Sequence, residues 1–228
     1  HMAEFEGDMA GSLNAVQKNN RASHKKEVAD ILSFAALLKV RGRNNKAMLS
    51  VTLMPIIANK LISGEIGPVE WQKLRESEAH ERETGDFPDY YTAILKIRKD
   101  GWLPQVPRDL LIPQMIVLQE SFMQFLTSRK WQLMTTDPRE TGGFITSDEP
   151  LVFGEDSHGL ECLPDESIEE ITFPVCSSAA LVSYSDPFEG NSTATEQIIA
   201  HINTRTARSG ARCLYSIREE FLQWITSR

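Results

Sequence analysis

The segment from residue 142 to residue 153, Gly-Gly-Phe-Ile-Thr-Ser-Asp-Glu-Pro-Leu-Val-Phe, constrains the fold more than any other part of the chain. Two glycines end a turn, an apolar pair enters a strand, and four polar residues then interrupt the apolar run. Pro150 biases the residue before it toward an extended backbone and cannot donate a hydrogen bond to a neighbouring strand. The pattern predicts a strand that bends at a hydrogen-bonded polar corner, formed by Thr146, Ser147, Asp148 and Glu149.

Composition and cysteine content narrow the class of protein. The chain has 228 residues, of which 41% are hydrophobic and 25% are charged, as is typical of a globular protein. No stretch approaches the roughly 18 apolar residues of a membrane span, and no signal peptide is visible. The three cysteines form no C-x-x-C pair and no even set that would indicate a disulfide framework. We therefore expect a soluble cytoplasmic protein.

The two halves of the chain differ in charge and in texture. Residues 1–136 carry 18 Lys and Arg against 16 Asp and Glu, whereas residues 137–228 carry 6 against 16, a net charge of −10. The first half has long apolar-periodic stretches, and the second has short β-branched and aromatic runs between turn residues. These patterns predict an α+β fold, in which an N-terminal helical layer packs on a C-terminal, mostly antiparallel sheet with one late helix.

The same change of texture predicts the domain organisation. Residues 1–20 begin with a His-Met pair typical of a cloning scar, and we expect a flexible or tag-derived tail there. Residues 21–130 are predicted to be helical, with a kink or break at Pro55. Residues 131–228 are predicted to be β-rich, with a helix at 193–207 capped by Asn191 or Ser192. The helical and β-rich parts are expected to form one compact unit.

The individual elements follow from periodicity and turn residues. Helices are predicted at residues 28–40, 44–62, 90–99 and 112–128, with another that begins at Gly67-Pro68. Strands are predicted at residues 131–135, 144–146 and 151–153, as a hairpin at 171–175 and 180–184, and at 212–217. Pro174 lacks an amide hydrogen, so the first strand of the hairpin is expected at a sheet edge or at a bulge.

Three motifs of the second half recur in a known order: a strand that begins at Trp131, the Phe-Ile-Thr-Ser-Asp-Glu-Pro corner that begins at Phe144, and an Ile-Thr-Phe-Pro strand that begins at Ile171. This order resembles domain-of-unknown-function family 4238, a bacterial family. The buried helix that ends at Arg41 and the Asn203 of the late helix also fit that family. Its initial His-x-x-Pro-x-x-Tyr-Leu-like segment has no counterpart in residues 1–27. The resemblance implies the architecture and brings no activity with it.

The polar corner has two interpretations, as a structural pin or as the rim of a functional site. In the first, its hydroxyl groups and Asp148 satisfy turn amides that would otherwise lack partners. In the second, Asp148 and Glu149 act as acid–base, metal-binding or ligand-binding carboxylates. Arg41, expected at a buried helix end, and Asn203 are then candidate partners, because a buried Arg41 needs a carboxylate such as that of Asp148.

Arg75 and His80 form a second, weaker candidate site. Their Arg-x4-His spacing resembles the motif of the helical HEPN ribonucleases, in which a His and an Arg act on the 2′-hydroxyl and the scissile phosphate. A His titrates near neutrality and an Arg neutralises phosphate oxygens. Four Glu residues in the same stretch would repel a phosphate backbone, so a solvent-exposed, charge-laced helix face is the alternative.

The segment at residues 155–170 holds seven Asp and Glu residues and no Lys or Arg. Such a density of carboxylates can hold a divalent cation or attract a basic protein partner. The segment lacks the D-x-D-x-D-G order of a calcium loop, which favours a mobile, solvated acidic loop. We expect no metal and no cofactor. A basic concentration at residues 18–46 could contact nucleic acid or an acidic partner surface. It is interpreted as a solvated face, because it lacks a pattern of interleaved aromatic residues and the overall pI of about 5.2 disfavours a nucleic-acid partner.

Two classes of function follow from these patterns. The first is a binding or regulatory protein that uses its acidic C-terminal half. The second is a hydrolase or nuclease of a defence or toxin system, with Asp148 and Glu149, or Arg75 and His80, in its site. The chain has no G-x-S-x-G, P-loop, G-x-G-x-x-G or H-E-x-x-H motif, and this favours the first class.

Overall fold

The computed structural model describes residues 10–16, 25–79, 88–106, 108–154, 168–184, 190–210 and 212–217. Its helices are α1 (residues 10–16), α2 (Lys25–Arg41), α3 (Arg43–Ser63), α4 (Pro68–Ala79), α5 (Tyr90–Asp100), α6 (Arg108–Ser128), α7 (Pro138–Thr141) and α8 (Glu196–Ser209). Its strands are β1 (Gln132–Thr135), β2 (Thr146–Ser147), β3 (Val152–Phe153), β4 (Glu170–Cys176), β5 (Ala179–Tyr184), β6 (Gly190–Thr193) and β7 (Leu214–Tyr215). The fold is α+β, as the sequence predicted.

The chain divides into two compact units. The first, called the sheet unit here, comprises His1–Arg43 and Gln119–Arg228. The second, the helical unit, comprises Asn44–Leu118. The sheet unit therefore holds every strand of the described residues together with α1, α2, α7, α8 and the second half of α6.

The sheet unit is organised around a five-stranded sheet with the order β3-β4-β5-β1-β6, and β2 and β7 form a separate pair. β1 runs parallel to β6, whereas the other pairings are antiparallel. The predicted β4–β5 hairpin is confirmed. β4 lies inside the sheet, and a bulge between Pro174 and Cys176 accommodates the missing amide hydrogen.

Both faces of the five-stranded sheet are covered within this unit. Successive residues of a strand point to opposite faces, so each residue can be assigned to one layer. On one face, α8 packs on a buried cluster, which consists of Met134, Phe144, Ala180, Val182, Ala194, Ile199 and Ile202. On the other face, Phe153 of β3 stacks on Phe122 of α6 with their ring centroids 5.8 Å apart.

The boundaries of α8 differ from the predicted range of 193–207. Asn191 and Ser192, the predicted caps, lie in β6, which pairs with β1 along Gly190–Thr193. The N-cap is Thr195, whose hydroxyl accepts a hydrogen bond from the amide of Ile198. Pairing with β1 holds residues 190–193 in a strand, and sequence periodicity does not reveal such a long-range contact.

The helical unit has its own buried core, formed by Ile57, Leu61, Trp71, Ala93 and Val106. The indole nitrogen of Trp71 donates to the carbonyl oxygen of Pro88 at 3.0 Å, so this buried donor is paired.

None of the helices in the described ranges combines the length and the hydropathy that a bilayer crossing requires.

α3 continues through Pro55, so the break that the sequence allowed there is wrong, whereas the kink stays a prediction. A proline inside a helix removes one backbone hydrogen bond at a cost of about 3 kcal/mol. The next turns bury Ile57 and Leu61 in the core of the helical unit, and this packing offsets the loss.

Candidate functional site: the polar corner and the Glu170 cluster

The carboxylate of Asp148 binds the backbone that follows α8. Its Oδ1 accepts hydrogen bonds from the amides of Arg212 at 3.2 Å and Cys213 at 3.3 Å. The amide of Asp148 donates to the carbonyl oxygen of Cys213 at 3.3 Å, next to the antiparallel pairing of β2 with β7. The carboxylate therefore satisfies two amides and fixes the end of the β2–β7 pair.

Two further polar residues satisfy backbone groups near the corner. The hydroxyl of Ser147 accepts from the amide of Glu149 at 3.1 Å. Asn203 of α8 is 2% exposed; its Nδ2 donates to the carbonyl oxygen of Gly143 at 3.0 Å, and its Oδ1 accepts from the amide of Ile145 at 2.9 Å. The buried side chain of Asn203 thus satisfies two backbone groups near the bend that make no hydrogen bond with another strand.

Glu149 is the most buried carboxylate of the polar corner, at 3% exposure. It lies against Gly42, where an added Cβ would come within 2.8 Å of Cδ and 2.9 Å of Oε1 of Glu149. The absence of a side chain at residue 42 therefore makes room for the carboxylate between α2 and the corner.

Lys39 of α2 supplies the positive charge near Glu149. Its Nζ donates to the carbonyl oxygen of Leu151 at 3.4 Å and lies 5.1 Å from the ring centroid of Phe153. Burial lowers the pKa of Lys39 below its usual value, and attraction to the Glu149 carboxylate opposes this shift.

Arg41, which we expected to be buried, is exposed at the end of α2. Helix geometry explains the difference. Lys39 lies one turn after the buried Ala35, whereas Arg41 lies one turn after the half-buried Leu37. The position of Lys39 on the buried stripe of α2 was the signal in the sequence that would have identified it instead of Arg41.

The other candidates from the sequence fall partly outside the described residues. Arg75 is half-buried on α4 and donates to Oε1 of Gln72 at 2.9 Å, but His80 lies beyond the described part of that helix. Residues 155–167 of the acidic segment are also outside the described ranges. The Arg75–His80 motif and the acidic loop therefore stay predictions.

A cluster of ionisable side chains between β4, β5 and α8 was not found from the sequence. Glu170 of β4 forms an ion pair through Oε2 with Nη1 of Arg205, and the same oxygen lies 2.9 Å from Nε2 of His201. His201 and Arg205 are one turn apart on α8 and therefore face the same carboxylate. Tyr184 is the residue of β5 directly opposite Glu170. We call Glu170, Tyr184, His201 and Arg205 the Glu170 cluster.

The guanidinium of Arg205 anchors this cluster. Arg205 is 5% exposed, and its Nη2 donates to the carbonyl oxygen of Gly154 at 2.9 Å and to that of Glu170 at 3.4 Å. A buried cation of this kind requires its carboxylate, because either charge alone would be desolvated without compensation. The spacing of His201 and Arg205 hinted at a shared partner, but Glu170 is 31 residues away from His201, and only the fold brings them together.

Most of the exposed large apolar side chains of the described residues lie in the helical unit. Ten of the thirteen exposed large hydrophobic residues in the described ranges belong to it: Val51, Ile56, Ile62, Val69, Tyr91, Leu95, Leu103, Ile112, Ile116 and Val117. A surface cavity of about 570 Å³ is lined in part by Val69, Tyr90 and Tyr91.

Within the described residues, no group of three or more His, Cys, Asp or Glu side chains is arranged to hold a metal ion.

Comparison with known proteins gives one result. A family model described as protein of unknown function (DUF4238) matches residues 1–216. The chain belongs to this family. The Thr-Ser-Asp-Glu-Pro corner, which carried the resemblance in the sequence, lies inside the matched region of this DUF4238 member. No curated protein and no solved structure matches the chain.

Proposed function

We propose that this DUF4238 protein is a cytoplasmic binding or regulatory protein that recognises a basic protein partner through its acidic C-terminal half. The observation that carries the proposal is the charge of residues 137–228, with 6 Lys and Arg against 16 Asp and Glu. Among the described residues of this half, Arg205 is buried against Glu170, whereas Glu140, Glu169 and Glu196 are exposed. Arg205 and Glu170 neutralise each other, so the outward field of this half comes from its remaining charges, which are mostly acidic.

The bonding of the polar corner supports binding over chemistry at that position. Oδ1 of Asp148 accepts from two backbone amides, so the lone pairs of this oxygen are directed into the protein. A catalytic carboxylate must instead reach a substrate proton within hydrogen-bond distance. The corner therefore serves as the support of the acidic half, and the recognition surface is assigned to the exposed carboxylates around it.

An electrostatic test separates specific recognition from general acidity. The probe is a fluorescent peptide of nine lysines, and the variant replaces Glu155, Asp156, Glu161, Asp165 and Glu166 by Gln or Asn. The control replaces five exposed acids of the helical unit, Glu65, Glu70, Glu76, Asp100 and Asp109, in the same way. We expect the first variant to bind about tenfold more weakly at low salt, and the control to bind within about twofold of the unmodified protein.

Two results would contradict the proposal. One is equal loss of affinity in the control variant, which would mean that net charge alone attracts the peptide. The other is affinity that does not change between 50 and 300 mM salt, because charge pairs at the surface weaken as the Debye length falls to about 8 Å and below.

One observation favours the alternative, a hydrolase or nuclease of a defence or toxin system. Lys39 and Glu149 are ionisable groups in contact with buried surface, and burial lowers the pKa of Lys39. A buried lysine whose pKa is lowered in this way is frequent in active sites, and also in structural ion pairs. Lys39→Met and Glu149→Gln would each abolish a cellular toxicity phenotype under this alternative. Under the binding proposal, the two substitutions change only the stability of the protein. Any phenotype then follows the amount of folded protein that remains.

A further inference from the structure

The Glu170 cluster runs from a buried cation to an imidazole in contact with solvent. The side chain of Arg205 is 5% exposed, that of Glu170 is 15% exposed and that of His201 is 41% exposed. This gradient differs from that of a structural ion pair on a surface, where both partners are solvated. Here the guanidinium of Arg205 is fixed inside the protein, and the exposed imidazole of His201 can contact a ligand.

The hydrogen bond to Glu170 determines the tautomer of a neutral His201. An ionised carboxylate only accepts hydrogen bonds, so Nε2 of His201 carries the hydrogen that lies on the 2.9 Å line to Glu170 Oε2. The lone pair is then on Nδ1, on the other side of the ring. A histidine oriented by a carboxylate in this way is suited to accept a proton from a bound water or alcohol. Arg205 holds Glu170 in place, and Glu170 in turn positions the imidazole of His201.

Tyr184 adds a neutral hydrogen-bond donor beside this pair. It lies opposite Glu170 in the β4–β5 register, and directly opposed residues have Cβ atoms about 5 Å apart. Burial raises the pKa of the Tyr184 phenol, the Glu170 carboxylate raises it further, and Arg205 opposes the shift. The phenol therefore keeps its hydrogen at neutral pH. Since Tyr184 is 37% exposed, that hydrogen can reach a bound molecule.

The charges around the cluster restrict the class of substrate. Oε1 of Glu170 has no hydrogen-bond partner among the described residues. Arg205, the cation of the cluster, is already engaged by Glu170 and by two carbonyl oxygens. A phosphodiester anion would be repelled here, whereas an uncharged molecule would not.

We propose that His201, positioned by Glu170 and assisted by Tyr184, catalyses the hydrolysis of small uncharged carboxylic esters, an activity separate from the binding function. His201 takes a proton from water while the water oxygen bonds to the ester carbonyl carbon. The Tyr184 hydroxyl donates to the oxyanion of the tetrahedral intermediate. The bond to the leaving oxygen then breaks, and the imidazolium returns its proton to that oxygen. One ester and one water give one acid and one alcohol, and no other reactant is needed.

The test is the hydrolysis of p-nitrophenyl acetate by the full chain at pH 7.5. Loss of a general base lowers rates by about 100-fold or more, so we expect that loss in kcat/KM for His201→Gln. Tyr184→Phe should lower kcat by about tenfold, because one exposed donor to the oxyanion is lost. Both residues are partly exposed, so both variants are expected to fold. The matched control is Arg208→Gln, an exposed residue of the same helix, with activity within about twofold of the unmodified protein.

Two further arms test the positioning role and the substrate class. Glu170→Asp keeps the carboxylate and should retain more of kcat than Glu170→Gln, with similar KM values, a difference that a purely structural role would not produce. Bis(p-nitrophenyl) phosphate should react no faster than in buffer. The proposal is overturned if His201→Gln keeps the rate of the unmodified protein, if the unmodified protein does not exceed the rate of free imidazole at equal concentration, or if the phosphodiester is the better substrate.

Discussion

Asp148 and Glu170 lie in the same unit of the protein, and their carboxylates bind different kinds of partner. Asp148 accepts hydrogen bonds from the backbone amides of Arg212 and Cys213, so its charge stabilises the backbone conformation of this segment. Glu170 binds two side chains of α8, one buried and one exposed. In the conspicuous polar motif, the hydrogen bonds of Asp148 Oδ1 go to the backbone of the protein itself. A carboxylate within an ordinary strand, in contrast, can organise a group of titratable residues that reaches solvent.

The largest effect is expected from removing the buried cation of the Glu170 cluster. Arg205→Met leaves Glu170 without the guanidinium, and breaking a buried ion pair costs about 3–5 kcal/mol. The measurement is the free energy of unfolding from urea denaturation. Arg208→Met, at an exposed position one residue before the end of α8, should change it by about 0.5 kcal/mol or less. Equal losses for the two variants would show that Glu170 does not depend on Arg205.

An intermediate effect is expected where the corner packs on α2. Gly42→Ala places a Cβ against the Glu149 carboxylate, and overpacking of this kind costs about 1–3 kcal/mol. Gly11→Ala is the control, because an added Cβ there meets nothing within 4 Å, and the change should be neutral or stabilising. If Gly42→Ala unfolds at the same urea concentration as the unmodified protein, Glu149 is not held against residue 42.

A smaller effect is expected at Asp148, and its two substitutions sharpen the comparison with Glu170. Asp148→Ala leaves the amides of Arg212 and Cys213 without their acceptor, which should cost about 1–2 kcal/mol. Asp148→Asn keeps one acceptor oxygen and should lose less than half of that. A similar loss for both substitutions would mean that the negative charge itself, and not the hydrogen-bond acceptor, is what the structure needs.

The smallest effect is expected at alkaline pH. The pKa of Tyr184 is raised in the folded protein, mainly by burial and also by Glu170. Above the pKa of an unfolded tyrosine, unfolding releases the phenolic proton, so this contribution to stability is complete below that pH and is lost as the pH rises through the folded value. Tyr184→Phe should therefore show a shallower alkaline loss of stability in thermal melts between pH 9 and pH 11. An unchanged slope would contradict the assigned environment of Tyr184.

The sequence predicted those features that depend on local pattern. The α+β class, the mostly antiparallel sheet and the β4–β5 hairpin follow from periodicity and from Pro174. The start of α8 was placed too early, because pairing of β6 with β1 outweighs the helical pattern at residue 193. Long-range pairing of this kind leaves no mark in a short window of sequence.

The candidate site was predicted in part. The polar residues around Asp148 were identified from their spacing, and helix periodicity would have indicated Lys39 in place of Arg41. The partnership of Glu170 with His201 and Arg205 could not be predicted, because it joins one residue of a strand to two of a helix in a different part of the chain. Ion pairs between distant elements become visible only when the fold is known.

Amide hydrogen exchange at Cys213 tests most directly whether the polar corner is structural. If the corner is structural, Asp148→Ala accelerates exchange of this amide by about tenfold, the equivalent of one hydrogen bond of about 1.4 kcal/mol, while the amides of β4 and α8 keep their protection. Unchanged exchange at Cys213 would contradict the account, because it would leave the Asp148 carboxylate available to a ligand.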